Sequence, residues 1–461
     1  MTDKGNLHIT IIGGGISGLC TAYYLKKLLG DDLRVTLLES SSRLGGWIQT
    51  YHDDNFLFEL GPRGCQSKRR GMLTLQLAEE LGLTNELIGA NNTAKRRFIW
   101  HNQELQALPE NLWQFLSSPL TKGLISALLR DLCTSNVQKD DESIYDFFCR
   151  HLSGAIADRL IDPMVLGIYA GDMKKLSIRS CFPLLYETAK ANGSLIRGFI
   201  TKKKASPSPL SPKLEHLRNT PLFSFKGGME TLITSLSLHS QSSIKLNQKV
   251  TAIIPKQKQI EVYTDEACFL SDYVISTIPS HNLATLLIDW LPTASQTLEK
   301  INSLPINLVN LGYRKDILGK YNGFGYLVPT KEQEKLLGAV FDSSFFPEQN
   351  LTPNQTRLTA MVRADKDLHK DDLLDMVLNS LRKHVGIKAY PDFVKIHCFQ
   401  KAIPQYHVGH YQRLHSLKQA IQSKTDRLYI SGNNFHGVAV NDCVANSLAI
   451  AHDILAQVNR Y

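Results

Sequence analysis

The chain has 461 residues, too many for one simple core, so two or three co-folded domains are expected. With 43% hydrophobic and 21% charged residues, its composition is that of a globular protein and excludes the disordered, collagen-like and repeat classes. A formal net charge of +9 favours an anionic partner, yet Lys68-Arg69-Arg70, Lys95-Arg96-Arg97 and Lys202-Lys203-Lys204 lack the interleaved aromatics of a base-stacking surface, so no nucleic acid is expected.

The first apolar run, Ile9 to Ile12, ends in glycines and is too short for a signal-peptide core, which predicts a strand. A helix from about Ser17 to Leu29 and a strand from Arg34 to Glu39 follow, the βαβ start of a doubly wound sheet. Met72 to Leu81 carries the period of an amphipathic helix. From Leu112 to Leu129 apolar residues dominate in a loose helical spacing, and Ser206 to Pro212 reads as a loop. A helix begins after Lys226-Gly227-Gly228-Met229. Strands are then predicted near Lys249 to Ile254, Ile260 to Tyr263 and Tyr273 to Ile278. Residues 305–365 are strand-rich, with alternation from Arg357 to Arg363. A strand (Arg427 to Ser431), a glycine turn and a helix (about Asp442 to Val458) close the chain. Both ends therefore read strand–glycine–helix and are expected to meet on one cofactor. No stretch approaches the roughly 18 apolar residues of a membrane span. The eight cysteines form no close pairs, so reduced thiols, no metal site and a cytoplasmic location are expected. His397, His407, His410 and His415 have no zinc-type spacing.

Gly13-Gly14-Gly15-Ile16-Ser17-Gly18 fits the dinucleotide-binding pattern between a strand and a helix. Its glycines permit a tight turn, a close backbone approach to a pyrophosphate and helix–strand packing. Glu39 ends the second strand where a ribose hydroxyl would sit, which disfavours a 2′-phosphate and hence NADP. Arg43-Leu44-Gly45-Gly46-Trp47 adds a cation and more bare backbone, a longer track that suits FAD.

At this point the sequence resembles the FAD-dependent amine oxidase superfamily, and within it the oxygen-type protoporphyrinogen/coproporphyrinogen oxidases. The likeness rests on Phe58-Glu59-Leu60-Gly61-Pro62-Arg63-Gly64, Gly167 to Asp172, Leu176 to Pro183, Gly323 to Pro329, Ile403 to Tyr406 with Gly409-His410, and Gly437 to Cys443. It implies oxidation of a porphyrinogen by hydride transfer to FAD, with oxygen as acceptor. The fold it implies is mixed α/β: an FAD-binding doubly wound lobe, a mixed-sheet substrate lobe and a helical insertion. The FAD lobe is expected from 1–95, 216–290 and 406–461, the substrate lobe from 96–109 and 291–405, and a helical, membrane-facing domain from 110–215. Gly61, Pro62, Arg63 and Gly64 would contact the flavin, with Val250, Gly432, Val438, Ala439 and Val440 completing the FAD site. Arg97 matches the position that clamps a substrate propionate, a task suited to a forked guanidinium. Arg63 is either a second anionic contact or a structural salt-bridge partner. Phe324, Leu327, Val340 and Met361 would line the tetrapyrrole cavity, and Gly167 would leave room for its edge. An anionic membrane surface and a second copy of the chain are further partners that this resemblance allows. Coproporphyrinogen III remains an alternative substrate, because Lys95 and Arg96 accompany Arg97. An amine oxidase or polyene desaturase is a second class, and a flavin-free binding protein a third.

Overall fold

The computed structural model describes residues 7–30, 33–133, 139–201, 210–212, 214–240, 242–364 and 369–459, apart from the Leu112 side chain. The lysine run 202–204 and most of the 206–212 loop lie outside the described residues.

The β-branched and leucine-rich strands His8–Ile12 and Arg34–Leu38 pair in parallel around the helix Ile16–Leu29. Ser243–Lys245 extends this sheet beyond Arg34–Leu38, while Tyr273–Ser276 and Leu428–Ile430 extend it beyond His8–Ile12. All five strands run parallel, and Leu19, Leu25, Val35, Leu37 and Ile275 are fully or almost fully buried between sheet and helices. The two chain ends meet: the last helix, Val440–Val458, packs on Ile16–Leu29, and Ser447 Oγ donates to Ser17 O at 2.9 Å.

A seven-stranded mixed sheet forms the second layer, in the order Phe393–Pro404, Ser303–Tyr313, Thr356–Arg363, Leu336–Val340, Gly325–Leu327, Arg97–His101, Glu104–Ala107. Its period of two gives each strand two unlike faces. Phe98, Tyr326, Ala339, Ala360 and Val309 are buried on one face, against Leu373, Val377 and Leu381 of the helix Lys370–Val385. The opposite face carries Arg97, Leu327, Val340 and Met361 and looks toward the 50–64 segment and the helical insertion.

The apolar stretch 112–129, read in the sequence as a loose helical spacing, is helical in two pieces. It forms the helix Leu112–Ser117, a turn at Pro119–Thr121 and the helix Leu124–Leu132. Pro119 cannot donate within a helix interior, and Gly123 takes φ +82° to start the second helix, so the run breaks between them. Trp113, Leu116, Ile125 and Leu129 of this segment are exposed.

Candidate active site

Gly13 sits at φ +108°, and a β-carbon there would stand 2.7 Å from Thr277 Oγ1. At Gly18 a β-carbon would come within 1.9 Å of Gly13 O, so the helix can lie on the strand end only with glycine at that position. Gly45 N donates to Gly14 O at 2.9 Å and brings the second glycine pair against the first. A β-carbon on Gly46 would stand 3.3 Å from Gly15 Cα, so these residues leave a strip of bare backbone. The helix beginning at Ile16 has Gly15 as its cap, with no side-chain acceptor and no acid in its first turn. Among the described residues no side chain caps the start of this helix, where the positive end of its dipole lies.

The Glu39 carboxylate accepts from Gly14 N at 2.6 Å and from Ser41 N at 2.8 Å, and is fixed at the end of its strand. Val250 is buried with Leu38 just beyond it, while Gly432 lies against Thr277 at φ +107°. Val438, Ala439 and Val440 lead into the last helix, where Asp442 accepts from Ala439 N at 3.3 Å and pairs with Arg70 at 2.7 Å. Arg43 turns its guanidinium onto the carbonyls of Leu44, Ile48 and Gly46, so its direct role is to shape the loop around Gly45 and Gly46. The bare strip, the open helix terminus and the acid at the strand end fit the diphosphate and ribose of FAD. Replacing Glu39 by Ala is expected to weaken FAD retention on the order of ten-fold, one charge-assisted hydrogen bond. Flavin absorbance after gel filtration checks this, and full occupancy in the variant would refute it.

The 58–64 loop links this cradle to the second sheet. Gly61 lies so close to Trp47 that a β-carbon would meet its carbonyl at 1.9 Å, and Pro62 leads into Arg63. Arg63 Nε donates to Asp342 Oδ1 at 2.9 Å, a salt bridge with both side chains mostly buried. The structural partner left open by the sequence is therefore Asp342, while Arg63 Nη2 has no acceptor. Thr359 Oγ1 lies 2.7 Å from both Asp342 Oδ2 and Asn310 Oδ1. Arg357 is fully buried and donates to Asn350 Oδ1, Leu57 O and Phe346 O, and burial brings its pKa down to about 10. Glu59 is buried too. Its oxygens accept from Met229 N at 2.7 Å and Thr50 Oγ1 at 3.0 Å, yet burial pushes its carboxyl up to about 8.

The open face of the seven-stranded sheet is organised in rungs. Register aligns Arg97, Gly325, Val340, Thr359 and Asn310 in one, and Ile99, Leu327, Gly338, Met361 and Leu308 in the next. Glycines at φ +136° (Gly325) and +156° (Gly338) contribute no side chain, which lowers the floor between bulkier neighbours. Gly167, on the helix Asp162–Tyr169, lies over Leu327 at a distance that leaves 3.0 Å to a β-carbon. Phe324 stacks on Phe345 at 4.8 Å, and the Arg97 guanidinium stands 4.9 Å from the Phe324 ring centre. No carboxylate pairs with Arg97 among the described residues. Much of its side chain is open, but the surrounding protein still desolvates it enough to lower its pKa. Arg96 points to the other face, donates to Lys320 O at 3.1 Å and lies over Phe98, so it does not join Arg97.

The sequence profile of flavin-containing amine oxidoreductases matches residues 16–455. The chain belongs to that family. It is 33% identical to human protoporphyrinogen oxidase, across 97% of this chain and 98% of that one. Coproporphyrinogen III oxidase of Bacillus subtilis is 29% identical with 99% of each covered. A crystal structure from an Exiguobacterium species, provisionally assigned as protoporphyrinogen oxidase, superposes with a TM-score of 0.82 at 26% identity, covering 98% and 99%. As a flavin-containing amine oxidoreductase of the porphyrinogen oxidase branch, the protein is an FAD-dependent oxidoreductase.

Sequence reasoning missed several parts of this amine oxidoreductase's site. Asp342, Asn310 and Thr359 tie the 58–64 loop to the sheet. The signal that would find them is a polar residue between apolar strand neighbours: Asn310 between Val309 and Leu311, and likewise Glu59 between Phe58 and Leu60. Tyr406 is a second joint. Its hydroxyl accepts from Gly437 N at 3.0 Å and bonds Asn433 O, while its carbonyl accepts from Ser177 N at 2.8 Å. His410 stacks on Tyr406 and His397 on Phe399.

Proposed function

We infer that this protein oxidises protoporphyrinogen IX to protoporphyrin IX. The observation that carries this reading is the sheet floor: two glycine-lowered rungs, one of them apolar, with the Arg97 guanidinium at the edge and without a carboxylate partner among the described residues. A tetrapyrrole macrocycle with carboxylates on one side suits such a surface, and the names of the near full-length relatives point to the same substrate class. FAD, when bound, supplies hydride acceptance and passes the electrons on, with oxygen proposed as the acceptor.

The chain's own residues bind and orient. Arg97 would hold a propionate through a two-pronged hydrogen bond, and its desolvation strengthens that contact. Leu327, Val340 and Met361 would bear on the ring, Phe324 on its margin, and Gly167 would clear its edge. No nucleophile–base pair is needed, and none lies on the floor among the described residues. Because Arg96 is turned away, it adds no second cation beside Arg97, which favours the two-propionate substrate over coproporphyrinogen III with four.

The test is porphyrin fluorescence growth with purified yellow protein in air, offered each porphyrinogen separately. Faster conversion of protoporphyrinogen IX is expected. A preference for coproporphyrinogen III would reassign the substrate. Turnover only with an added quinone would reassign the acceptor.

Among the described residues no helix is long and apolar enough to cross a membrane. We propose instead peripheral attachment, on the inner face of a membrane, through the exposed side chains of Trp113 (83% open), Leu116, Ile125, Leu129, Phe199 and Ile200 (76% open). Ile125→Asp combined with Leu129→Asp is expected to lower vesicle binding about ten-fold, read by flotation, while turnover in detergent stays unchanged.

A further inference from the structure

An open cleft of about 540 Å³ lies where the substrate sheet meets the helical insertion. Its walls come from four places: the turn at His101 and Asn102, Lys122 after the Pro119–Thr121 turn, Ala155 with Asp158 and Arg159, and Lys331. Asp158 and Arg159 belong to a π-helical turn, Ala157–Ile161, a local irregularity that re-aims side chains.

The lining itself carries more cations than acids, with the Asp162 carboxylate at the adjoining helix end besides. Arg159 donates to three neutral carbonyls, from Nε to Ala155 O at 3.0 Å, from Nη1 to Pro119 O at 2.8 Å and from Nη2 to Lys122 O at 2.6 Å. These bonds fix its position without neutralising it. Lys122 and Lys331 have no carboxylate partner among the described residues. Asp158 is the one acid in the lining, with Glu332 in the adjoining turn, against three cations. His101 is 6% exposed and its Nδ1 is buried without a partner. Burial, and then Lys331, lower its pKa, so the ring adds no charge of its own at neutral pH.

The surroundings say what kind of anion belongs here. Lys122 sits in the link between the helices Leu112–Ser117 and Leu124–Leu132, whose Leu116, Ile125 and Leu129 are exposed. The Lys122 wall of the cleft thus belongs to a segment whose flanking helices expose apolar side chains. The cleft adjoins the porphyrinogen floor at one end, because His101 closes the strand that carries Arg97 and Ile99. The helix Asp162–Tyr169 bears on that floor at Gly167, while its N-terminal end is held by Asp162 accepting from Thr330 N at 2.6 Å, next to the cleft.

We propose that this cleft binds the phosphodiester headgroup of an anionic phospholipid, with Lys122, Arg159 and Lys331 holding the phosphate and the acyl chains lying over Leu116, Ile125 and Leu129. This rests on the peripheral-attachment reading above and gives it a specific lipid site. It also places the mouth of the insertion at headgroup depth, which fixes how the enzyme lies on the bilayer.

The experiment uses the FAD-loaded full chain in flotation assays. Vesicles of phosphatidylcholine alone are compared with vesicles containing phosphatidylglycerol. The wild type is expected to prefer the anionic vesicles. Lys122→Ala and Lys331→Ala should each reduce that preference about five-fold, with residual binding to neutral vesicles retained. A control with Lys258→Ala and Lys424→Ala, the same change in net charge on the exposed FAD-lobe surface, should keep the preference. Equal loss in the control would reduce the effect to overall charge and overturn the site. Intact preference in the Lys122/Lys331 double variant would also overturn it while leaving membrane attachment standing. Absence of wild-type binding to any vesicle would sink the attachment reading itself. Inorganic phosphate at constant ionic strength supplies the last arm. If it binds in a Lys122- and Lys331-dependent way without affecting vesicle preference, the occupant is a free phosphate and not a lipid. A rise in porphyrinogen KM in the double variant would make the cleft a substrate carboxylate site, again against the proposal.

Discussion

Arg97→Ala is expected to lower kcat/KM for protoporphyrinogen IX on the order of 100-fold with the flavin spectrum unchanged. Arg97 has no carboxylate partner among the described residues, stands over Phe324 and is desolvated enough to lower its pKa. A propionate would find a preorganised fork there, and a charge-assisted pair of this kind contributes about 2–3 kcal/mol. The propionate does not change during oxidation, so the contact is equally strong in ground and transition states, and its loss should appear mainly in KM. Arg97→Lys keeps the charge but loses the fork and the planar contact with Phe324, so an intermediate KM is expected. An unaltered KM in both variants would remove Arg97 from the substrate site.

The sequence was legible where local chemistry decides the structure. The run Ile9–Ile12, the glycines behind it and the βαβ pattern correspond to the strand His8–Ile12, the helix Ile16–Leu29 and the strand Arg34–Leu38. The closing strand and helix likewise meet the first ones. Legibility fell where partners are distant in the chain. The seven-stranded sheet sets Arg97–His101 beside Gly325–Leu327, a pairing that no local period encodes. Its edge strand Phe393–Pro404 includes Lys395, Gln400 and Lys401, so it lacks a continuous apolar signal. The helix break between Ser118 and Gly123 was written in Pro119 and Gly123, but leucines on both sides masked it. Polar residues inside strands were the hardest to read. Asn310 and Thr359 gain meaning only when Asp342, on a separate helical turn, is brought between the sheet and Arg63. Fold recognition needs the pattern of glycines and strands, whereas this network depends on tertiary register.

Glu59 carries the last prediction, because the same network makes the protein's stability depend on pH. Its carboxyl is raised from 4.5 to about 8, chiefly by burial; Asp342 adds to the rise, whereas Met229 N–H, Thr50 and Arg63 oppose it. Below about pH 4.5 the group is protonated in both folded and unfolded chains and contributes no difference. Between 4.5 and 8 the unfolded chain ionises while the folded one keeps its proton, so folding binds a proton and stability falls as pH rises. Above about 8 both forms are ionised and this loss levels off. The slope from this single group is up to about 1.4 kcal/mol per pH unit. Glu59→Gln imitates the protonated carboxyl: its carbonyl can accept from Met229 N and its amide can donate to Thr50 Oγ1. The variant should therefore match wild type near pH 5 and exceed it by several kcal/mol near pH 8. Denaturant unfolding of the FAD-loaded protein across that range provides the comparison. Parallel wild-type and variant profiles would mean that Glu59 is ionised in the folded protein, with Arg63 and Arg357 outweighing its burial.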